Sequence, residues 1–442
     1  MTALFSPEAR LEAARHLFVT LGQTVGADLS VRLWDGSVVP LGPSANGSLA
    51  IAISEPGVLG SLLRRPRLET LLRHVLSGRI DVHGGDLLEL GEAVSAATGR
   101  DKLRPLVRLS LLRRVLPLLL TPAPRDGLDH RFEGASSGRW RRDNSRFIGF
   151  HYDMSSEFFR LFLDPEMQYS SAYFNGPEDS LEAAQQNKLE VICRKLRLQT
   201  GERLLDVGCG WGGLICWAGR HHGVRAHGLT LSREQRDFAE ARIRQMGLAE
   251  RVSVEVRDLF SLDTGRWDKI ASVGMYEHVG LANLGRYFTR LRGLLEEGGI
   301  VVIDGMASKT RSARGAPRIP PATRLAQKYL FPGLELPSLD HMLHVMEASG
   351  LEAGEVESLR EHYALTAREW SGRLIERRDE AVRLVGEPRY RLLLLCLVAM
   401  RFGFAQGSMR SYRIVATRRG SAVTGSIAPT RAGRRAAPPE KS

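Results

Sequence analysis

The chain has 442 residues, 43% of them hydrophobic, and a formal charge of +12. That length exceeds one ordinary core and implies two or three domains, while the apolar content is ample for globular folding. The basic balance points to an acidic partner: an anionic lipid surface, a nucleic acid or a phosphate-bearing substrate. The four cysteines, Cys193, Cys209, Cys216 and Cys396, lack paired C-x-x-C spacing, so neither a zinc site nor a disulfide framework is suggested and a reducing cytoplasm fits.

Met1 to Gly22 mixes Glu8, Arg10, Glu12 and Arg15 into an apolar periodicity, which reads as an amphipathic helix and not as a secretory signal. Leu29, Val31 and Leu33 alternate with polar residues before Asp35-Gly36 and Val38-Val39, a hairpin pattern. Leu49 to Ile53 continues as a strand. Helices around Leu59–Leu63 and Leu68–Leu76, a strand at Ile80–Val82 and a helix from Asp86 complete a small α+β domain over residues 1–120. It holds no cluster that demands chemistry, so packing, lipid contact or assembly is its expected role. Residues 102–125 set Lys102, Arg104, Arg108, Arg113, Arg114 and Arg125 among leucines. Such a stretch either lies on an anionic membrane or forms a solvated basic face over a packed apolar one. Residues 121–148, rich in Pro, Gly, Ser and Arg, read as an interdomain linker.

From Gly149 the composition turns aromatic, and Phe150, Tyr152, Phe158, Phe159, Phe162, Tyr169, Tyr173 and Phe174 imply a buried wall. A helix across Leu181–Leu196 leads into Leu204-Leu205-Asp206-Val207-Gly208-Cys209-Gly210-Trp211-Gly212-Gly213-Leu214, an apolar strand running through a glycine-rich bend into a helical pattern. The glycines let the backbone approach a ligand closely, and the following helix offers unpaired N–H groups. Further strands are expected at Arg225–Leu229, Val252–Val256, Lys269–Val273 and Gly299–Ile303, with helices between them. This alternation predicts an α/β, Rossmann-like domain over residues 149–417, built on a mainly parallel sheet that binds ligands at the carboxyl ends of its strands. The longest apolar run, Leu392 to Met400, is far short of the roughly 20 residues that span a bilayer, so membrane contact is expected to be peripheral. The tail over residues 418–442, basic and poor in large apolar residues, is expected to be disordered.

Gly208, Gly210 and Gly213 match the G-x-G-x-x-G of dinucleotide sites. The acidic residue expected about 20 positions later to hold a ribose hydroxyl is absent, because that region reads Ala226-His227-Gly228-Leu229-Thr230-Leu231-Ser232. S-adenosyl-L-methionine is the alternative ligand. Asp206 suits its ammonium end, and Gln235 suits its ribose, although Ser232-Arg233-Glu234-Gln235 is also a capping box.

His151-Tyr152-Asp153, Phe158-Phe159, Leu163-Asp164-Pro165, Tyr169 to Phe174, the glycine bend, Leu229-Thr230-Leu231-Ser232, Met275-Tyr276-Glu277-His278-Val279-Gly280 and Tyr329-Leu330-Phe331-Pro332-Gly333 together carry a family resemblance. In that order they are similar to the cyclopropane-fatty-acyl-phospholipid synthases and their mycolic-acid cyclopropane relatives. The resemblance implies a Rossmann-like methyltransferase that passes the methyl of S-adenosylmethionine to a double bond of an unsaturated phospholipid acyl chain, with bicarbonate removing a proton as the ring closes. It implies that Tyr169, Ser170, Gly208, Gly210, Thr230 and Gln235 contact the cofactor, that Asp258 lies near the adenine, and that Glu277 and Tyr363 line the bicarbonate pocket. The bland readings make Tyr169 a core aromatic, Asp258 a helix cap and Tyr363 a strand-pairing residue. The implied partners are unsaturated phospholipid acyl chains and an anionic membrane surface, reached from the cytoplasmic face; no nucleic acid is expected, and a homodimer stays open.

Two positions depart from the family. Ser171 replaces a cysteine whose backbone the family uses, a mild change. Asp304-Gly305-Met306 replaces the family's His-Thr-Ile at the bicarbonate. Two carboxylates beside that anion repel it unless one holds a proton, which makes bicarbonate a doubtful ligand. Asp304, alone or with Glu277, is then expected to act as the base, or deprotonation goes elsewhere and the product is a methyl- or methylene-bearing chain or a methylated diene. Two other classes remain in view. A nucleic-acid methyltransferase would explain the charge, but the basic residues cluster in linker and tail and the aromatic wall shows no base-flipping pocket. A catalytically silent lipid-binding protein would explain the lost histidine.

Overall fold

The computed structural model describes residues 6–97, 113–125, 155–262, 265–308, 321–330 and 334–420. Phe150 and Tyr152, most of the basic leucine-rich stretch, the linker beyond Arg125 and the tail beyond Gly420 lie outside the described residues. The chain divides into two compact units. One comprises residues 1–134, 320–325 and 371–402; the other comprises residues 135–319, 326–370 and 403–442. Residues 371–402, assigned from the sequence to the second domain, thus group with the N-terminal unit.

In the smaller unit, helix α1 (Pro7–Val25) begins where the Ser6 hydroxyl caps the Ala9 N–H and ends at Gly26 in the left-handed conformation, the usual start and stop chemistry of a helix. Strands β1 (Ser30–Arg32) and β2 (Val38–Pro40) form the expected antiparallel hairpin. β3 (Ala50–Ile53) lies parallel to β1, and β4 (Ile80–His83) lies antiparallel to β3, giving the order β2-β1-β3-β4. Helices α2 (Pro56–Arg64), α3 (Leu68–Leu76) and α4 (Leu87–Ala96) complete the unit; Asp86 and Glu89 close a reciprocal capping box at the start of α4. Arg391 ties the later segment in through Asp81 at 2.8 Å and Glu387 at 2.6 Å.

The larger unit is built on a seven-stranded sheet in the order β10-β11-β9-β8-β5-β6-β7. β5 (Arg203–Val207), β6 (Arg225–Thr230), β7 (Val252–Val256), β8 (Trp267–Val273) and β9 (Leu295–Ala307) run parallel. β10 (Leu351–Ser358) and β11 (Arg410–Arg418) add two antiparallel pairings at one side. Strand alternation sends successive side chains to opposite faces. Leu204, Ala271 and Val302 therefore pack under α5 (Leu181–Leu196), α6 (Gly213–His221) and α7 (Arg233–Gln245). Leu205, Ile270, Val301 and Ile303 pack under α8 (Leu284–Leu294) and α9 (Leu339–Ala348). The chain passes from β5 to β6 on one side and returns to β8 on the other, so the carboxyl end of β5 is the switch point where such sheets open a crevice.

Ile303, fully buried at the centre of β9, is a test of this core. Ile303→Ala removes apolar contact on the α8 face and is expected to cost roughly 2–5 kcal/mol in urea-unfolding measurements. Val38→Ala, at a site 46% exposed, is expected to stay within about 0.5 kcal/mol.

Candidate active site

A cleft opens at that switch point. Asp206, Gly208, Gly210, Thr230, Gln235, Asp258, Tyr169 and Ser170, the residues expected to hold the cofactor, all lie on its walls. Gly208, Gly210 and Gly212 have φ of 83°, 54° and 82°, values that L side chains rarely adopt, and Gly213 then starts α6 with its N–H groups facing the bend. Asp206 sits at the end of β5, 2% exposed, and its Oδ1 has no hydrogen-bond partner among the described residues. Burial pushes its carboxyl up to about 7, against the pull of the nearby Lys188 ammonium. An orphaned buried carboxylate beside an open glycine turn has the donor chemistry to receive an ammonium group.

The Thr230 hydroxyl donates to Gln235 Oε1 at 2.7 Å and accepts from the Ser232 N–H. Ser232 caps the Gln235 N–H, but the Gln235 side chain turns to Thr230. The reciprocal half of the capping box is therefore not made, and the amide is left on the cleft wall. Asp258 does cap the short 3-10 turn at Leu259–Ser261 through the Phe260 N–H, and it lines the cleft as well. Behind the cleft, Tyr169 contacts Phe159, Phe162 and Trp370 with centroid separations of 5.3, 6.1 and 5.2 Å. Phe159 also meets Trp211 of the glycine turn at 4.9 Å. The aromatic wall anticipated from composition thus backs the cleft.

Glu277, Asp304 and Tyr363 lie off this wall and group differently from the expectation. Glu277 is 2% exposed; its Oε1 accepts the Met306 N–H at 2.7 Å, and its Oε2 has no partner among the described residues. Burial, with Asp304 as a smaller repulsive contribution, pushes its carboxyl up to about 7. Gly305 makes this placement possible, because a Cβ there would lie 2.8 Å from Glu277 Oε1 and 2.5 Å from the Tyr276 ring. Asp304, the preceding residue on β9, points to the other face. There Arg413 of β11, its cross-strand partner, donates from Nε at 2.9 Å and from Nη2 at 2.6 Å. The carboxylate expected to share a wall with Glu277 is therefore half of a buried ion pair on the opposite face of the sheet. Tyr363 lies on helix α10 (Arg360–Glu376), stacked on Phe404 at 4.4 Å and edge-on to Trp370; a strand-pairing role is excluded.

Sequence reading missed Arg413, Lys188, Gln168 and His278. The last three line the cleft. Arg413 had a signal in the alternation of β11, where it occupies the inward position between Ser411 and Val415. Lys188 had one in α5, where it falls on the buried helical stripe with Leu181 and Ile192.

The mycolic acid cyclopropane synthetase family model matches residues 140–414. A probable fatty acid methyltransferase of Pseudomonas putida is 36% identical, the alignment covering 90% of this chain and 93% of that protein. A tuberculostearic acid methyltransferase of Mycobacterium tuberculosis is 31% identical over 91% of this chain and 99% of its own. Among solved structures, a mycolic acid cyclopropane synthase complexed with SAH and CTAB superposes with a TM-score of 0.59 at 30% identity, covering 63% of this chain and 99% of that one.

The cofactor is therefore S-adenosylmethionine, and the orphaned Asp206 fits its ammonium group. A cation bound at Asp206 lowers the pKa of that carboxyl, so calorimetric affinity for S-adenosylmethionine is expected to weaken as pH falls below about 7. Asp206→Asn is expected to weaken binding by roughly 10–100-fold and to flatten that dependence. By sequence, fold and the chemistry of its cleft, the chain belongs to the mycolic acid cyclopropane synthetase family of S-adenosylmethionine-dependent methyltransferases.

Proposed function

We propose that this enzyme adds a one-carbon unit to a double bond of an unsaturated fatty acyl chain carried on a membrane phospholipid, with Glu277 as the base. The alkene π pair forms the new carbon–carbon bond to the methyl, the methyl–sulfur bond breaks with its pair left on sulfur, and a cation develops on the neighbouring chain carbon. A 1,2-hydride shift then moves the cation to the methyl-bearing carbon, and Glu277 takes a proton from the added carbon to leave a methylene branch, or from the adjoining chain carbon to leave a methyl-branched alkene. An alkene is a weak nucleophile, so holding it against the methyl in a dry pocket supplies much of the rate. Aromatic faces such as Tyr169 favour the cationic charge on both partners.

The observation that carries this reading is the buried Oε2 of Glu277, unpartnered among the described residues, together with an Asp304 already neutralised by Arg413. The ion pair removes the repulsion expected between two bare carboxylates, yet it does not suit bicarbonate. Asp304 offers only acceptor oxygens where the family's imidazole offers a donor, so the proton's route runs through Glu277. That replacement also favours a methylene- or methyl-bearing product over the cyclopropane ring. The net charge of +12 supports docking on an anionic membrane from the cytoplasmic side, with the N-terminal unit as the lipid-contact or assembly module. Among the described residues no helix is long and apolar enough to cross a membrane.

Expression in a host rich in unsaturated phospholipids, followed by mass spectrometry with double-bond localisation, is expected to show acyl chains heavier by one methylene group. A base must be ionised to work, so with S-adenosylmethionine saturating, where the Asp206 titration does not enter, kcat/KM for the lipid is expected to rise as pH rises through about 7 and to level above it. Glu277→Gln is expected to lower the rate by roughly 10²–10⁴-fold and to abolish the acid limb. Cyclopropane formation that requires added bicarbonate and survives Glu277→Gln would overturn the assignment.

A further inference from the structure

Helix α5 turns two polar side chains into the interior, one helical turn apart. Lys188 is 1% exposed; its Nζ donates to Ser170 Oγ at 3.0 Å and to Gln168 Oε1. Gln185, fully buried, donates from Nε2 to the Ser170 carbonyl at 3.1 Å. Gln168 in turn lies against the start of α6, where a Cβ on Gly213 would come within 2.2 Å of its Nε2. The Gln168–Ser170 segment, with Tyr169 at its centre, is thus strapped between α5 and the glycine turn. It follows Met167, a non-glycine residue at φ 54°, a conformation that persists only when its surroundings hold it.

The same ammonium takes part in a buried cluster of charge. Asp164 from the segment before the strap, Asp206 from β5, Asp304 from β9 and Arg413 from β11 all act on Lys188 electrostatically. Three carboxylates thus face two cations, a balance one positive charge short of neutral when all are ionised. S-adenosylmethionine, with its ammonium, sulfonium and carboxylate, brings a net single positive charge, whereas the thioether left after methyl transfer brings none.

We propose that Lys188 is a positioning residue for methyl transfer: it fixes the Gln168–Ser170 strap over the cleft and sets the charge by which the cleft distinguishes sulfonium cofactor from thioether product. This rests on the cleft being the cofactor site, which the Asp206→Asn titration tests independently. Burial brings the Lys188 ammonium down to about 8. Burial also raises Asp164 to about 6 and Asp206 to about 7, so both are largely ionised above that range. His278 on the same wall, lowered to about 4 by burial, stays neutral.

The test is calorimetric binding of S-adenosylmethionine and S-adenosylhomocysteine to the full chain between about pH 7.5 and 9.5. Corrected for the α-ammonium titration of each free ligand, measured separately, the wild-type preference for the sulfonium is expected to rise roughly tenfold across that range as the lysine loses its proton and the cleft becomes more negative. Lys188→Arg keeps the charge and is expected to hold the preference flat at the low-pH value. Lys188→Met is expected to hold it flat at the high value while weakening both ligands through the loosened strap. Gln185→Leu loosens the strap without touching the charge, so both ligands weaken and the pH dependence stays. Wild type and Lys188→Met with the same pH dependence would overturn the proposal. A wild-type chain that binds neither ligand would instead overturn the assignment of the cleft.

Discussion

Charge buried beneath α5 is the constraint on which the rest of the larger unit depends. Taking an ion out of water costs several kcal/mol unless a partner compensates it. The Asp304–Arg413 pair meets that demand with an arginine that is fully buried and bound at 2.6 Å. Once an aspartate stands at position 304, the residue opposite it on β11 has little freedom. The same demand accounts for Lys195, whose ammonium bridges Glu355 and Glu357 of β10 at 2.7 and 3.0 Å. Such pairs add little to stability over well-packed apolar residues, but losing one partner costs about 3–5 kcal/mol. They are therefore better understood as specifying which strands lie beside one another than as holding the fold together.

Strand geometry then separates two chemistries along one edge of the sheet. Asp304 points to the face shared with Asp206, Arg413 and α5, while Gly305 opens the opposite face so that Tyr276 and Glu277 can pack against the backbone. Consecutive residues of β9 thereby serve the charge network on one side and Glu277 on the other. The tripeptide Asp304-Gly305-Met306 is coherent as a unit: a paired carboxylate, a missing side chain, and an N–H that holds one oxygen of Glu277 while leaving the other unpartnered. A change at the first of these positions alone would strand a buried guanidinium.

Much of the larger unit was legible because its signals are local. The helix Leu181–Leu196 and the strand Val252–Val256 coincide with their predicted spans, because burial on one or both faces writes a period directly into the residues. The residues that the resemblance implies for the cofactor line one cleft for a related reason: a glycine turn after an apolar strand opens at the carboxyl edge of the sheet. β10 and β11 went unread. Leu351–Ser358 carries three glutamates and a glycine, and two of the glutamates, Glu355 and Glu357, pair with Lys195, which precedes them by more than 150 residues. Tyr363 was weighed as a strand residue because its helix α10 has little amphipathic contrast. The grouping of residues 371–402 with the N-terminal unit depends on contacts such as Arg391 with Asp81, which no window along the chain contains.

By itself the sequence determined the alternating α/β order and the glycine turn with Asp206 at its threshold, products of short-range spacing, and it indicated the cofactor class through the ordered motifs that carry the family resemblance. Tertiary structure alone decided the partners of the charged groups. It made Asp304 half of an ion pair, left Glu277 with an oxygen unpartnered among the described residues, turned the Gln235 side chain to the cleft, and brought Lys188 near Asp206. The reason is physical: backbone periodicity is set within a few residues, whereas the compensation of a buried charge is set by whichever distant strand or helix the fold brings within hydrogen-bonding reach.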